Sequence, residues 1–138
     1  MFTFGRDHEK KCAVNYLRDT DESRRITDVV DAVHDVIEGK ITSDSIRPIL
    51  IGAFSDGGSG VWEQCGSWII KLAAEHPGLH LLWHELSKSP DHKVRFRVAC
   101  FIDKLPRSLA LELGEQLKDD RHKKTREMAR SRLDEFGT

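Results

Sequence analysis

Apolar side chains recur with helical spacing in three segments of the chain, which align with one another without gaps. The alignment is anchored at Val61, Val94 and Thr125. The positions four, eight and eleven residues after each anchor are apolar, and they are occupied by Cys65, Ile69 and Leu72, by Val98, Ile102 and Leu105, and by Ala129, Leu133 and Phe136. This spacing places the side chains on one face of a helix. Each segment therefore predicts an amphipathic helix with a buried apolar stripe.

A second helix is predicted before each anchor. Twelve residues before the anchors lie Ile49, Leu82 and Leu113, and eight residues before them lie Ala53, Leu86 and Leu117. Polar, turn-rich stretches separate the two helices of each segment, which predicts turns near residues 57–60, 88–92 and 119–123. Each segment is thus predicted to be a helix hairpin. Pro77 and Pro106 follow the first two hairpins, where a proline ends a helix at little cost.

These hairpins resemble HEAT repeats, which typically carry a proline in the first helix, an aspartate in the turn and a Val-Arg pair opening the second helix. The matching residues are Pro48, Asp56 and Val61 in the first segment, Val94 and Arg95 in the second, and Asp120 and Arg126 in the third. The pattern is broken by Trp62, Ser89 and Thr125. The resemblance covers residues 44–136. It implies that Asp56, Arg95, Asp120 and Arg126 are structural, since aspartate and arginine link neighbouring hairpins in such stacks.

The first 43 residues predict a further helix pair. Residues 7–18 read as a short helix, and a longer helix capped by Asp21 or Ser23 runs to Glu38, with Gly39 as its stop. The apolar face of the longer helix consists of Ile26, Val29, Val30, Val33 and Ile37. Its polar face carries what we call the acidic ridge, namely Asp28, Asp31, Asp35 and Glu38. The pair is predicted to be a degenerate fourth repeat or an N-terminal cap, which solenoids need.

The fold class predicted from these patterns and the resemblance is all-α. We expect a right-handed stack of antiparallel helix hairpins, a short HEAT-like α-solenoid of about three repeats plus an N-terminal helical cap. The chain is predicted to form a single domain over residues 1–138. Its parts are the cap at 1–43 and the repeats at 44–77, 78–106 and 107–136.

Composition and charge indicate a folded protein whose two halves differ in charge. With 38% apolar and 33% charged residues, the chain is too apolar for disorder. The net charge is −1, but residues 1–87 carry 9 basic and 14 acidic side chains, whereas residues 88–138 carry 13 and 9. The charged N-terminus, the absence of a long apolar run and three cysteines without a CxxC pair predict a cytoplasmic protein with reduced thiols and no membrane segment.

Three patterns in the sequence have residue types that chemical sites use. His80 and His84 share a helix face, as a metal site requires, but no third ligand has a recognisable spacing. The loop at 57–60 is glycine-rich and precedes a helix, but it lacks the Lys-Ser/Thr of a phosphate-binding loop. No catalytic signature is found, so we predict no metal, no cofactor and no enzymatic activity. The basic stretch at 121–132 is better explained as a solvated helix with internal ion pairs than as a phosphate-binding surface.

The sequence therefore predicts a non-enzymatic protein-binding module. Small bacterial proteins of this resemblance include antidotes that neutralise a toxin, which makes an antidote or immunity-type protein one form of this function. The predicted partner contacts are Glu63, Phe96, Arg97 and Lys104 on the concave face, Asp28, Asp31 and Asp35 on the acidic ridge, and Trp62, where the repeat pattern has an arginine. Oligomeric state is not predicted.

Two alternatives remain open at this point. The first is nucleic-acid binding through the basic C-terminal half. The second is a base-excising DNA glycosylase, because some HEAT-like proteins remove alkylated bases. The chain is short for the second alternative, since those proteins wrap the duplex with more repeats.

Overall fold

The structure, a computed structural model, describes residues 5–136, and this part of the chain is all-helical. It is 77% helical and contains no strand. The eight α-helices are α1 (Arg6–Val14), α2 (Thr20–Ile37), α3 (Arg47–Asp56), α4 (Ser59–Ala73), α5 (Leu81–Ser87), α6 (His92–Phe101), α7 (Arg107–Leu117) and α8 (Lys123–Asp134). Short 3-10 helices lie at Asp44–Ile46, Pro77–His80 and Ile102–Lys104. The helices form two compact units, one ending at His80 and the other beginning at Leu81.

In the first unit, α2 packs against α1, α3 and α4, and α3 packs against α4. The predicted apolar face of α2 is confirmed at Ile26, Val29, Val30 and Val33, none of which is exposed at all. The prediction is wrong for Ile37, which is 37% exposed because the helix ends at this residue. The buried stripe predicted for α4 is confirmed by its buried residues, which include Val61, Cys65, Ile69 and Leu72.

The boundaries of the first two helices differ from the prediction. The cap of α2 is Asp19, whose carboxylate accepts hydrogen bonds from the amides of Asp21 at 2.8 Å and Glu22 at 3.1 Å. Asp21 and Ser23 were therefore wrong as caps, and the helix starts one residue after Asp19. The short helix also ends at Val14, four residues before the predicted end. Gly39 is confirmed as the stop, since its φ of 74° is a conformation that glycine adopts without strain.

In the second unit, α5 packs against α6, α7 packs against α8, α6 packs against α8 and α5 packs against α7. The core includes Trp83, whose ring lies 5.4 Å from that of Phe101. The anchor positions Val94 and Thr125 are buried, as the alignment predicts. The turns at 88–91 and 118–122 separate the helices of this unit, and residues 57–58 separate α3 from α4, so all three predicted turns are confirmed.

A buried ion pair connects the two hairpins of the second unit. The Arg95 Nε donates to Asp120 Oδ1 at 2.8 Å, and Nη2 donates to Oδ2 at 3.3 Å. The two side chains are only 7% and 9% exposed. Arg126 donates to the backbone carbonyl of Asp120 at 2.9 Å. Arg95 and Asp120 therefore link the two hairpins of the second unit and Arg126 contacts Asp120, whereas Asp56 is exposed.

The register predicted for α3 is wrong at one position. Ile49, assigned to the buried stripe, is 42% exposed, whereas neighbouring Leu50 is completely buried. The helix instead buries Leu50, Ala53 and Phe54, which are spaced three and four residues apart. This face places the larger side chains Leu50 and Phe54 in the core together, and removing more apolar area from water is favourable. The gap-free alignment therefore predicted Ala53 correctly and assigned Ile49 to the core in place of Leu50.

None of the described helices combines the length and apolar character that crossing a bilayer requires.

Candidate protein-binding surface

The first unit contains an open groove between α2 and α3, with a volume of about 510 Å³. One wall carries the acidic-ridge residues Asp28, Asp31 and Asp35. The other side is lined by apolar residues, of which Ile41 and Ile49 are 40% and 42% exposed. The groove thus exposes two large aliphatic side chains beside charged residues. We call this feature the α2/α3 groove.

Local structure explains how each wall of the groove forms. Asp28, Asp31 and Asp35 are three and four residues apart on α2, so they project from one face while the valines of the same helix enter the core. The chain then reverses at Gly39, and the amides of Lys40 and Ile41 both donate to the carbonyl of Asp35, at 2.9 and 3.4 Å. This turn brings Ile41 to the groove.

The floor of the groove is formed by small residues, which keep it open. Ala32, Gly52 and Ala53 line it, and a Cβ added at Gly52 would meet no atom within 4 Å. Arg25 donates to the carbonyl of Gly52 at 3.3 Å and connects α2 to α3 beside this floor. The small side chains therefore leave open space in this part of the groove.

Cations of α1 partly neutralise the acidic ridge. Arg6 pairs with Asp31 at 3.4 Å, with Asp35 at 2.7 Å and with Glu38, while Lys10 pairs with Asp31 at 3.1 Å. The hydrogen bond to Asp35, followed by that to Glu38 and the attraction of both carboxylates, raises the pKa of Arg6 despite partial burial. Asp28 is exposed and has no ion-pair partner within residues 5–136.

The other predicted contacts in the first unit lie outside the α2/α3 groove. Glu63 is exposed and lines a second depression of about 490 Å³ between α1 and α4, together with Trp68 and Lys71. Trp62 is half-buried, and its ring meets that of Phe54 edge-on at 5.9 Å. The structure thus places Trp62 partly in the core, and it brings together only the three aspartates among the predicted residues of this unit.

The remaining predicted contacts belong to the second unit. Phe96 and Arg97 are both half-buried on α6. Lys104 is exposed, and its ammonium lies 5.4 Å from the centre of the Phe101 ring. Phe96 is therefore less accessible than its assignment to an exposed interface centre requires.

Ion pairs occupy much of the basic C-terminal stretch. Lys123 pairs with Glu127 at 3.8 Å, and Arg130 pairs with Asp119 at 3.9 Å. Arg132 lies 3.6 Å from Asp103 and 3.2 Å from Glu135. Each acidic partner reduces the positive charge that is available to a phosphate. The Lys123–Glu127 pair lies within α8, as the prediction of internal ion pairs requires, whereas Asp119 and Asp103 lie outside this helix.

Residues with metal-binding or nucleophilic chemistry are dispersed. The described residues include no group of three or more His, Cys, Asp and Glu side chains that could hold a metal ion. Desolvation lowers the pKa of His80, and His84 lies 3.8 Å from Glu112. Burial raises the pKa of the Cys65 thiol to about 12, and such a thiol is a poor nucleophile at neutral pH. None of Cys12, Cys65 and Cys100 forms a disulfide within the described residues.

Sequence reasoning missed the apolar side of the α2/α3 groove, namely Ile41, Pro48 and Ile49. The available signal was the spacing of Leu50 and Phe54, which defines an inward face that excludes Ile49. The exposure of Ile41 in the groove could not be predicted from the sequence pattern, because its position depends on the turn after Gly39. Comparison of the chain with protein-family models, with curated proteins and with solved structures yields no significant match.

Proposed function

We propose that the chain is a non-enzymatic protein-binding module, and that the α2/α3 groove is the surface that contacts its partner. The observation that carries this proposal is the exposure of Ile41 and Ile49 beside Asp28 in one open groove. Interfaces combine an apolar centre with a charged rim, and the groove presents both. An aliphatic side chain of the partner would cover Ile49, while a cation would meet Asp28.

The wider architecture proposed for this module is the short HEAT-like solenoid, in which hairpins stack with equivalent helices in contact. Packing in the second unit supports this proposal, since α6 contacts α8 and α5 contacts α7. The buried Arg95–Asp120 pair between its two hairpins supports it as well. An antidote or immunity-type role is a narrower form of the same proposal, in which the bound protein is a toxin.

A capture experiment with matched variants tests the proposal. The tagged chain is incubated with lysate of its native host, and the bound proteins are quantified by mass spectrometry. Ile49→Asp and Asp28→Lys alter the groove, whereas Glu75→Lys reverses an exposed charge that does not line it. A protein that is retained by the wild type and Glu75→Lys, and lost with both groove variants, supports the proposal.

The same experiment distinguishes the α2/α3 groove from the other predicted binding surfaces. A captured protein that is lost with Glu63→Lys or Arg97→Glu, but retained by Ile49→Asp, would move the binding site to the surface first predicted from the repeat pattern. Binding that disappears after nuclease treatment would favour the nucleic-acid alternative. The melting temperature of every variant is measured by circular dichroism. An unchanged melting temperature shows that the substitution affects binding and not folding. Since Ile49 is 42% exposed and lies in the first turn of α3, an aspartate there is compatible with the fold.

A further inference from the structure

We propose that the partner of the α2/α3 groove presents a basic side chain to Asp31 and Asp35, and that Arg6 holds this position in the free protein. In this proposal, which rests on the proposed function, the partner is a protein whose contacting segment carries arginine or lysine next to aliphatic residues. Its cation replaces Arg6, and the first turns of α1 move away from α2. Helix α1 is thus a strap that competes with the partner.

The negative charge of Asp31 and Asp35 favours a partner segment that carries arginine or lysine. Asp31 and Asp35 line the groove, and they are the same carboxylates that Arg6 and Lys10 bind. The guanidinium of Arg6 contacts three carboxylates of α2, which shows that this face accommodates an arginine. An arginine of a partner would make the same charge-assisted hydrogen bonds. Ile41 and Ile49 would lie next to it and contact the aliphatic part of the segment.

These ion pairs connect the N-terminal part of α1 to α2. Among the residues of the helix, only Ala13 is buried, and it lies near the C-terminal end. The N-cap Gly5 provides no side-chain hydrogen bond. A helix of nine residues is also too short to be stable by itself in water. Release of Arg6 and Lys10 therefore removes the ion pairs that connect the N-terminal part of α1 to Asp31 and Asp35.

The C-terminal end of α1 is held separately and provides a pivot. Gln64 of α4 donates to the carbonyl of Ala13 at 2.9 Å. Between the two ends, Glu9 approaches His34 to 3.4 Å, with side-chain exposures of 13% and 9%. The ion pairs of Arg6 are more exposed than this contact, and partly exposed ion pairs contribute little to stability, so a partner can displace Arg6 without unfolding the unit.

The test uses a fluorescent synthetic peptide that is an amphipathic helix of arginine and leucine, with a glutamate-for-arginine peptide as its control. Fluorescence anisotropy measures binding to the wild type, to Arg6→Ala and to Lys11→Ala. Both variants remove one positive charge from α1, but Lys11 is exposed and does not pair with the ridge. We expect Arg6→Ala to bind the arginine peptide on the order of tenfold more tightly than the wild type, and Lys11→Ala to differ by less than about twofold. Equal affinities of the two variants would overturn the strap.

Hydrogen exchange of the wild-type protein provides a second readout that requires no variant. At saturating peptide, the amides of residues 9–12 should exchange faster, while those of α2 remain protected. Unchanged protection of α1 would overturn the displacement. Failure of the proposed function would give a different result. If the groove is not the binding surface, adding Ile49→Asp or Asp28→Lys to the Arg6→Ala variant would leave peptide binding intact. Absence of any binding to Arg6→Ala at millimolar peptide would reject the basic partner.

Discussion

Replacement of Asp120 by asparagine should destabilise the protein strongly, because it leaves Arg95 as an unpaired charge in the core. Arg95 is 7% exposed and Asp120 is 9% exposed, so little water is available to solvate either group. The carboxylate also accepts a hydrogen bond from the amide of His122 at 2.9 Å. Removal of one partner of a buried, hydrogen-bonded ion pair costs about 3–5 kcal/mol.

The effect can be measured by urea denaturation monitored by tryptophan fluorescence, with the free energy of unfolding extrapolated to water. Glu127→Gln is the matched control. It breaks the Lys123–Glu127 pair of α8, whose side chains are 77% and 62% exposed, and it should change stability by about 0.5 kcal/mol or less. A loss below about 1 kcal/mol for Asp120→Asn would refute the reasoning, since it would mean that water reaches Arg95.

The same pair predicts a pH dependence with a definite sign. Burial raises the pKa of Asp120, but the hydrogen bonds from Arg95 and from the amide of His122, together with the nearby positive charges, outweigh burial and lower it overall. A carboxylate with a lowered pKa in the folded state contributes stability above its unfolded pKa, and that contribution is lost as pH falls through the folded value. The difference in stability between the wild type and Asp120→Asn should therefore be constant near neutral pH and shrink below about pH 4.

Three further substitutions test the packing, and calorimetry or urea denaturation measures the stability of each variant. Ile102→Ala should cost about 2–5 kcal/mol, because the side chain is completely buried and its loss leaves a cavity; a cost below about 1 kcal/mol would contradict its position in the core. Gly57→Ala should destabilise the protein, since the new Cβ would lie 2.5 Å from the carbonyl oxygen of Ala53 and 2.5 Å from Val61 Cγ1. Gly52→Ala has open space and lies within α3, so it should stabilise the protein by roughly 0.5–1 kcal/mol; the reverse order of these two variants would contradict the packing.

The turns between helices could be predicted from sequence because they depend on local chemistry. Polar, turn-rich residues separate the helices of each hairpin, and Gly39 ends α2 with a positive φ. Helical periodicity also located most of the core, including Ile69, Ile102 and Leu113, all of which are completely buried. These features require only the preferences of a few neighbouring residues.

The candidate site was less predictable because it depends on contacts between distant residues. The acidic ridge of α2 was visible in the sequence, but its neutralisation was not, since Arg6 lies 29 residues from Asp35. The exposure of Ile49 likewise depends on which face of α3 the core selects, and Leu50 and Phe54 decide this jointly. Because α3 is apolar on several sides, its periodicity is compatible with burial of either Ile49 or Leu50.

The central claim, that a partner protein occupies the α2/α3 groove, is tested most directly by calorimetric titration of the purified partner. An aliphatic contact that is fully covered contributes about 1.5–3 kcal/mol, and about half of this remains to be gained at a residue that is 42% exposed. Ile49→Asp should therefore weaken binding by about threefold to tenfold, with an unchanged melting temperature, while Glu75→Lys binds within about twofold of the wild type. Wild-type affinity in both Ile49→Asp and Asp28→Lys would contradict the account.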